Sequence, residues 1–440
     1  MTLWFEYIGG KVMSAYHQSV DKVYESLNKC IIIGLTGRTG SGCSTAATIL
    51  EKKDFKSLNL ATPKRKDFKT VEERKDAVIY KFMSNNKWIP FVTIEVSSVI
   101  LSVIFQKSYD SFKNYLHQLV HSSSNGKTLK IRGYEELIPR LESIKHFFES
   151  KYARFDNSIL NSLDDKGIDE YFQYYLHDVK LQKKVFSDLF KDYSCTESYS
   201  TGFEKQREQK SQLYTYLLQL FGNNIRSSGD PFSSVFNQGQ FSKIAERVET
   251  IINLIVKKNE LVEDDTEKTN STRICVDAIR NPYEAYYLKD KFNSFYLVSV
   301  STDDNERRRR LTGFDQQELK SMDDMEYPVD YEKGRIFYQQ SIEECLQIAD
   351  IHLYNPLSSD ETFRLLTGSL VRYIALMLRP GLVTPTNIER CMQVAYTAKL
   401  NSGCLSRQVG AAITDSGYYV KAIGWNEVPQ GQVSCGLRTI

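Results

Sequence analysis

The chain has 440 residues, 41% of them hydrophobic and 25% charged, with Lys+Arg 57 against Asp+Glu 55 and a formal net charge of +2 at pH 7. That length suits two or three domains with buried cores, and the composition excludes a disordered or collagenous chain. The balanced charge gives no support for a nucleic-acid or membrane-surface binder, and no segment reaches the roughly 18 continuous apolar residues of a membrane span.

In chain order, residues 1–25 read as an N-terminal extension without the apolar core and small-residue cleavage site of a secretion signal. The eight cysteines stand at positions 30, 43, 195, 275, 345, 391, 404 and 435 with no C-x-x-C pair, as in a reduced, cytoplasmic protein. Short β-branched runs recur at Cys30–Gly34, Val92–Val96, Ile274–Ile279, Phe295–Val300 and Ile351–Leu353. They lack polar alternation, as strands covered on both faces do. Helix-like stretches such as Tyr283–Phe292 lie between them, so the pattern predicts an α/β fold with a parallel sheet. The apolar stretch Phe91–Phe105 reads as one buried strand with flanks. From about 106 to 257 no comparable strand is read. Helical spacing at Leu213, Tyr216, Leu217 and Leu220, and at Ile244, Val248, Ile251 and Ile255, predicts a large helical insertion. Residues 259–272 read as a solvated loop.

The pattern changes after Asn355. Phe363–Met377 predicts a helix ended by Arg379-Pro380-Gly381, and Thr386 with Glu389 predicts a capping box that opens another helix. Val409–Thr414 and Tyr418–Gly424, joined by Asp415-Ser416-Gly417, predict a β-hairpin. A boundary near Arg379 separates a domain over 26–378 from one over 379–440.

Two groups of residues carry chemistry. The first is Gly37-Arg38-Thr39-Gly40-Ser41-Gly42-Cys43-Ser44-Thr45, between the first strand and a helix over Ala46–Glu51. Its glycines allow backbone N–H groups to turn inward on phosphates, and the helix N-terminus adds partial positive charge. This is the P-loop pattern with Cys43 where the phosphate-binding lysine belongs. Ser44 remains as a magnesium-binding hydroxyl and Thr45 follows it, while Arg38 is a substitute cation of unknown direction. A glycine-rich turn with no ligand is the plain alternative. Asp277 and Arg280 lie at the C-terminal end of a strand, where open α/β sheets bind ligands. The run Arg307–Arg310 has two readings, a lid over phosphates and a solvated helix face. These residues, with Ala349-Asp350-Ile351 as a closing strand, resemble the small P-loop kinases. That resemblance implies a bound nucleotide with magnesium, and Cys43 argues against phosphoryl transfer.

The second group is ordered along the tail: Met392-Gln393-Val394-Ala395, then Ser402-Gly403-Cys404 and Gln408-Val409-Gly410-Ala411, then Gly424-Trp425-Asn426-Glu427-Val428-Pro429-Gln430-Gly431 and Cys435. From about Asn387 to Cys435 this resembles the opening of the deoxycytidylate deaminase family. The resemblance implies a zinc hydrolase, in which a zinc-bound hydroxide attacks the cytosine ring. It also implies a substrate contact at Asn426, with capping of the hairpin exit as the alternative. Cys404 and Cys435 match a pair that binds a structural zinc in some members; two buried thiols are the alternative. The histidines, at 17, 117, 121, 146, 177 and 352, all precede this region, and neither an H-x-E nor a P-C-x-x-C segment occurs in it. No catalytic residue is therefore assigned, and the tail is expected to be the N-terminal part of such a domain with an open apolar face and an unpaired edge.

Together the two halves resemble the bacterial two-domain antiphage deaminases. Phe221-Gly222-Asn223-Asn224-Ile225-Arg226-Ser227-Ser228-Gly229 and Asp277–Pro282 add to the likeness. The family implies conversion of dCMP or dCTP to dUMP or dUTP in antiviral defence, regulation through the P-loop domain, and homo-oligomers. A deoxynucleoside monophosphate kinase and a non-catalytic nucleotide-binding regulator are the alternatives.

Overall fold

The computed structural model describes residues 29–63, 68–85, 87–121, 127–199, 207–261, 271–312, 314, 316–326, 339–356, 360–405, 407–429 and 431–438. The 1–25 extension and most of the 259–272 loop lie outside these. The strands are β1 (Cys30–Thr36), β2 (Val92–Glu95), β3 (Lys127–Ile131), β4 (Ser194–Tyr199), β5 (Arg207–Gln212), β6 (Thr272–Asp277), β7 (Phe295–Ser301), β8 (Ile351–Tyr354), β9 (Gly410–Thr414) and β10 (Val420–Trp425). The helices that matter below are α1 (Cys43–Leu50), α2 (Val71–Ser84), α3 (Val96–Ile104), α4 (Tyr109–His121), α5 (Val179–Phe190), α6 (Leu213–Ser228), α7 (Lys243–Glu260), α8 (Pro282–Lys291), α9 (Asp304–Arg310), α10 (Gln316–Glu326), α11 (Ile342–Ile348), α12 (Asp360–Leu378) and α13 (Asn387–Lys399).

The chain divides into two compact units, Met1–Ala61 with Met83–Leu378, and Thr62–Phe82 with Arg379–Ile440. Most of α2 thus goes with the C-terminal residues, although the sequence counts it in the first domain. Within that second unit Lys75 Nζ donates to Pro385 O at 3.1 Å.

In the first unit β1, β2, β6, β7 and β8 form one all-parallel sheet in the order β2-β6-β1-β7-β8. Ile31, Ile32, Ile33 and Leu35 make β1 its buried centre. A parallel strand in that position meets helices on both faces, which is why its apolar residues do not alternate with polar ones.

Two expectations need correction here. Phe91–Phe105 is a four-residue strand, β2, followed directly by α3, whose residues are buried except Ser97. A short apolar run buried on all sides has the same composition in either conformation, so periodicity cannot separate them. The insertion between β2 and β6 is mostly helical, but it also holds the antiparallel sheet β3-β4-β5. These strands (KTLKI, SCTESY, REQKSQ) are mostly polar; Leu129, Ile131 and Cys195 are buried, too few apolar residues to stand out as a β-branched run.

The core of the insertion is rich in aromatic residues. Phe112 of α4 lies 5.2 Å from Phe148, 6.2 Å from Phe186 and 6.1 Å from Phe221, ring centre to ring centre. These tilted rings fill volume with few rotatable bonds. A buried ion pair, Arg226 Nε to Glu284 Oε1 at 2.7 Å, ties α6 to α8.

The second unit holds α13 and the β9–β10 hairpin. The capping box forms as expected: Glu389 N–H donates to Thr386 Oγ1 at 3.1 Å and Thr386 N–H to Glu389 Oε2 at 2.6 Å. Gly410 brings β9 so close to α13 that a Cβ there would collide with Ala395 O and Lys399 N. Ile388, Met392, Tyr396 and Leu400 along α13, and Ile413, Tyr419 and Ile423 on the hairpin, are exposed.

Candidate functional site

The strand-to-helix turn after β1 is built from its glycines. Gly40 (φ 86°) and Gly42 (φ 109°) occupy left-handed backbone that side chains disfavour. A Cβ on Gly42 would also lie 2.1 Å from Asn355 Nδ2. That amide instead donates to Ser41 O at 2.9 Å, which fixes the loop against the end of β8. Ser41 N–H closes the turn onto Arg38 O at 2.9 Å, and Gly42 caps α1.

Ser44, in the first turn of α1 with Thr45 after it, donates its hydroxyl to Asp277 Oδ2 at 3.0 Å. The sheet order causes this, because β6 neighbours β1 and ends beside the turn. Asp277 is 8% exposed, and its second oxygen, Oδ1, is buried without a hydrogen-bond partner. Burial pushes its carboxyl above the usual carboxylate range; the Ser44 hydroxyl and Lys183 oppose this, and Glu95 adds to it. Ala278, the next residue, takes a left-handed φ of 72°. Strand register sets Glu95 opposite Asp277. Glu95 accepts from Lys183 Nζ at 2.7 Å and Ser98 Oγ at 3.1 Å. Burial would raise the Glu95 carboxyl, but Lys183 holds it below its ordinary value.

Cys43 turns its Sγ back toward Ser41 Oγ, 3.6 Å away, and toward Gly37, on which a Cβ would lie 3.1 Å from it. Burial, with Asp277 adding to it, pushes this thiol up to about 12. It is a neutral group where a P-loop carries a cation.

The arginines settle two points that the sequence leaves open. Arg38 is engaged with acids, reaching Asp304 Oδ1 at 2.6 Å and Asp323 Oδ2 at 3.0 Å. Burial would lower its affinity for the proton, but Asp323 and Asp304 raise it. Arg280 enters from beyond β6, donating to Thr39 Oγ1 at 2.9 Å and to Glu326 Oε1 at 2.8 Å. The run on α9 divides between the loop and solvent. Arg307 donates to Thr39 O at 2.6 Å and Arg310 to Ser41 O at 3.1 Å, while Arg308 and Arg309 are exposed. Sequence reasoning missed Thr39, Asp323, Glu326 and Asn355 as members of this site. Asp323, Glu326 and Asn355 lie about 300 residues further along the chain, outside any recognisable motif.

In the second unit Asn426 spends both ends of its amide on backbone: Oδ1 accepts from Val409 N–H at 2.7 Å and Nδ2 donates to Arg407 O at 2.8 Å. These bonds pin the entry of β9 to the exit of β10. A Cβ on Gly403 would lie 2.6 Å from Ser434 Cβ, so the segments carrying Cys404 and Cys435 meet there; both cysteines are half-buried and neither is in a disulfide. Among the described residues no group of three or more His, Cys, Asp or Glu is arranged for a metal ion. Two thiols alone do not complete a tetrahedral zinc site. Comparison with known proteins gives no match for this chain, whether to a family model, to a curated protein or to a solved structure.

Proposed function

We propose that the first unit is a P-loop, kinase-like domain that binds a nucleotide with magnesium and uses the bound state as a regulatory signal. The observation that carries this reading is the Ser44–Asp277 pair beside a glycine turn, with one oxygen of Asp277 buried and unpartnered. A hydroxyl and a carboxylate are the oxygen ligands a magnesium ion takes, together with phosphate oxygens. When bound, the ion would neutralise phosphate charge; Ser44 and Asp277 would hold it, and the loop amides would orient the phosphates. The strand order supports the reading, since it sets the acid-bearing β6 directly beside the loop-bearing β1. Cys43 supports regulation over transfer, because a neutral thiol leaves the transferring phosphoryl group without a main stabilising charge. Isothermal titration with magnesium and a non-hydrolysable nucleoside triphosphate is expected to show saturable binding that Gly42→Val abolishes, with no phosphoryl transfer by the wild type. Binding that survives Gly42→Val would overturn the reading.

For the second unit we infer a deoxycytidylate-deaminase-like fold, supported by the close seating of Gly410, from the Gln408-Val409-Gly410-Ala411 segment, on α13. That family would place the chain in antiviral removal of deoxycytidine nucleotides, as a homo-oligomer controlled by the first unit. The described residues do not fit a catalytic zinc. The purified chain is accordingly expected to release no ammonia from dCMP or dCTP and to hold no stoichiometric zinc by elemental analysis.

A further inference from the structure

We propose that the carboxylate of Glu326 is an internal competitor for the phosphate position of the glycine-rich loop, so that the ligand binds only when α10 leaves it. The inference rests on the nucleotide reading above and concerns regulation of the same site.

Glu326 ends α10, and its side chain is fully buried. A buried carboxylate needs donors around it, and the donors here are of the kind a phosphate uses. Thr39 N–H points at both carboxylate oxygens, 3.2 and 3.3 Å away, and the Thr39 hydroxyl donates to Oε1 as well. Arg280, just beyond the end of β6, completes the set at 2.8 Å. A loop amide, a hydroxyl and a guanidinium converging on one anion form a charge-assisted site for any oxyanion, and a carboxylate from the chain itself holds it.

A second contact holds α10 in the same place. Asp323, one turn before Glu326, takes Arg38 at 3.0 Å and Arg307 at 2.7 Å. Arg38, Arg280 and Arg307 are therefore all paired with carboxylates before any ligand arrives. A phosphate brought to Thr39 with Glu326 still in place would set like charges side by side around one guanidinium. The two anions must exchange, and the exchange links nucleotide binding to movement of α10.

Removing the competitor's charge while keeping its shape tests this. Glu326→Gln retains a carbonyl oxygen for Thr39 and Arg280, and thermal melting checks that the variant folds. In the full chain its Kd for magnesium and the non-hydrolysable nucleoside triphosphate is expected to fall at least tenfold; a tenfold gain corresponds to a wild-type loop open in about one molecule in ten. In the wild type, saturating nucleotide is expected to speed tryptic cleavage after Lys320, an exposed residue of α10. Equal or weaker binding by Glu326→Gln, where the wild type binds and Gly42→Val does not, overturns the competitor and leaves the nucleotide reading standing. Unchanged cleavage at Lys320 under saturating nucleotide likewise counts against it. If neither wild type nor Glu326→Gln binds in a Gly42-dependent way, both readings fall together.

Discussion

Asp277 is held in a state that a folded protein does not favour without a reason. Its carboxyl is buried, one oxygen lacks a partner, and burial raises its affinity for the proton. A group whose folded-state pKa lies above its unfolded value contributes stability that is complete below the unfolded pKa and is lost as pH rises through the folded one. Ionised Asp277 therefore weakens the fold at neutral pH. Asp277→Asn is expected to raise urea-unfolding stability at pH 7 by on the order of 1 kcal/mol. The advantage should vanish once the pH falls below the ordinary aspartate range. An advantage equally large at low pH would show that charge is not the cause. Strain at Ala278 and the close approach at Gly42 belong to the same corner, where strand ends and loop meet. Ser44, Asp277 and the glycines were legible in the sequence because they sit in a short motif or at a strand end. Glu326 and Asp323 were not, since a carboxylate on a polar helix looks the same whether it meets water or an arginine far away in sequence.

At the scale of elements, the insertion is fastened to the parallel sheet's own helices by the Arg226–Glu284 pair, with side-chain exposures of 2% and 5%. A pair so deeply buried is costly to break and cheap to replace. Glu284→Gln is expected to lower stability by about 3–5 kcal/mol, whereas a double change to Arg226→Met and Glu284→Leu should come close to wild type. Chemical denaturation of the three variants checks this, and equal losses in single and double variants would count against a coupled pair. Helix ends with explicit chemistry, such as the Thr386–Glu389 box, could be read directly. The ambiguous elements were those in which burial or backbone pairing overrides side-chain pattern: α3, apolar nearly all round, and β3, β4 and β5, mostly polar with Leu129, Ile131 and Cys195 buried as apolar residues.

At the scale of the molecule, the second unit presents apolar residues to solvent on α13 and on the β9–β10 hairpin. Met392 is 64% exposed, and Tyr396, Leu400 and Ile413 are comparably open. Exposed apolar side chains of this kind bind hydrophobic dyes and drive association. The double variant Met392→Glu with Tyr396→Glu is expected to bind several-fold less 8-anilinonaphthalene-1-sulfonate and to shift sedimentation toward smaller species. Dye binding equal to wild type would place the exposed surface elsewhere. No helix among the described residues is long and apolar enough to cross a membrane.

The sequence by itself determined the five core strands, the glycine turn that holds Cys43, the capped helix and the hairpin of the tail. Each of these is a local matter: a β-branched run, a glycine whose backbone no other residue can take, a hydroxyl three residues before a glutamate. Only the tertiary structure decided the order β2-β6-β1-β7-β8 that brings Asp277 to Ser44, the passage of Thr62–Phe82 into the second unit, and the closure of Glu326 on the loop. These join residues separated by up to about three hundred positions, and their energies come from burial and charge pairing between surfaces that do not exist until the chain has folded.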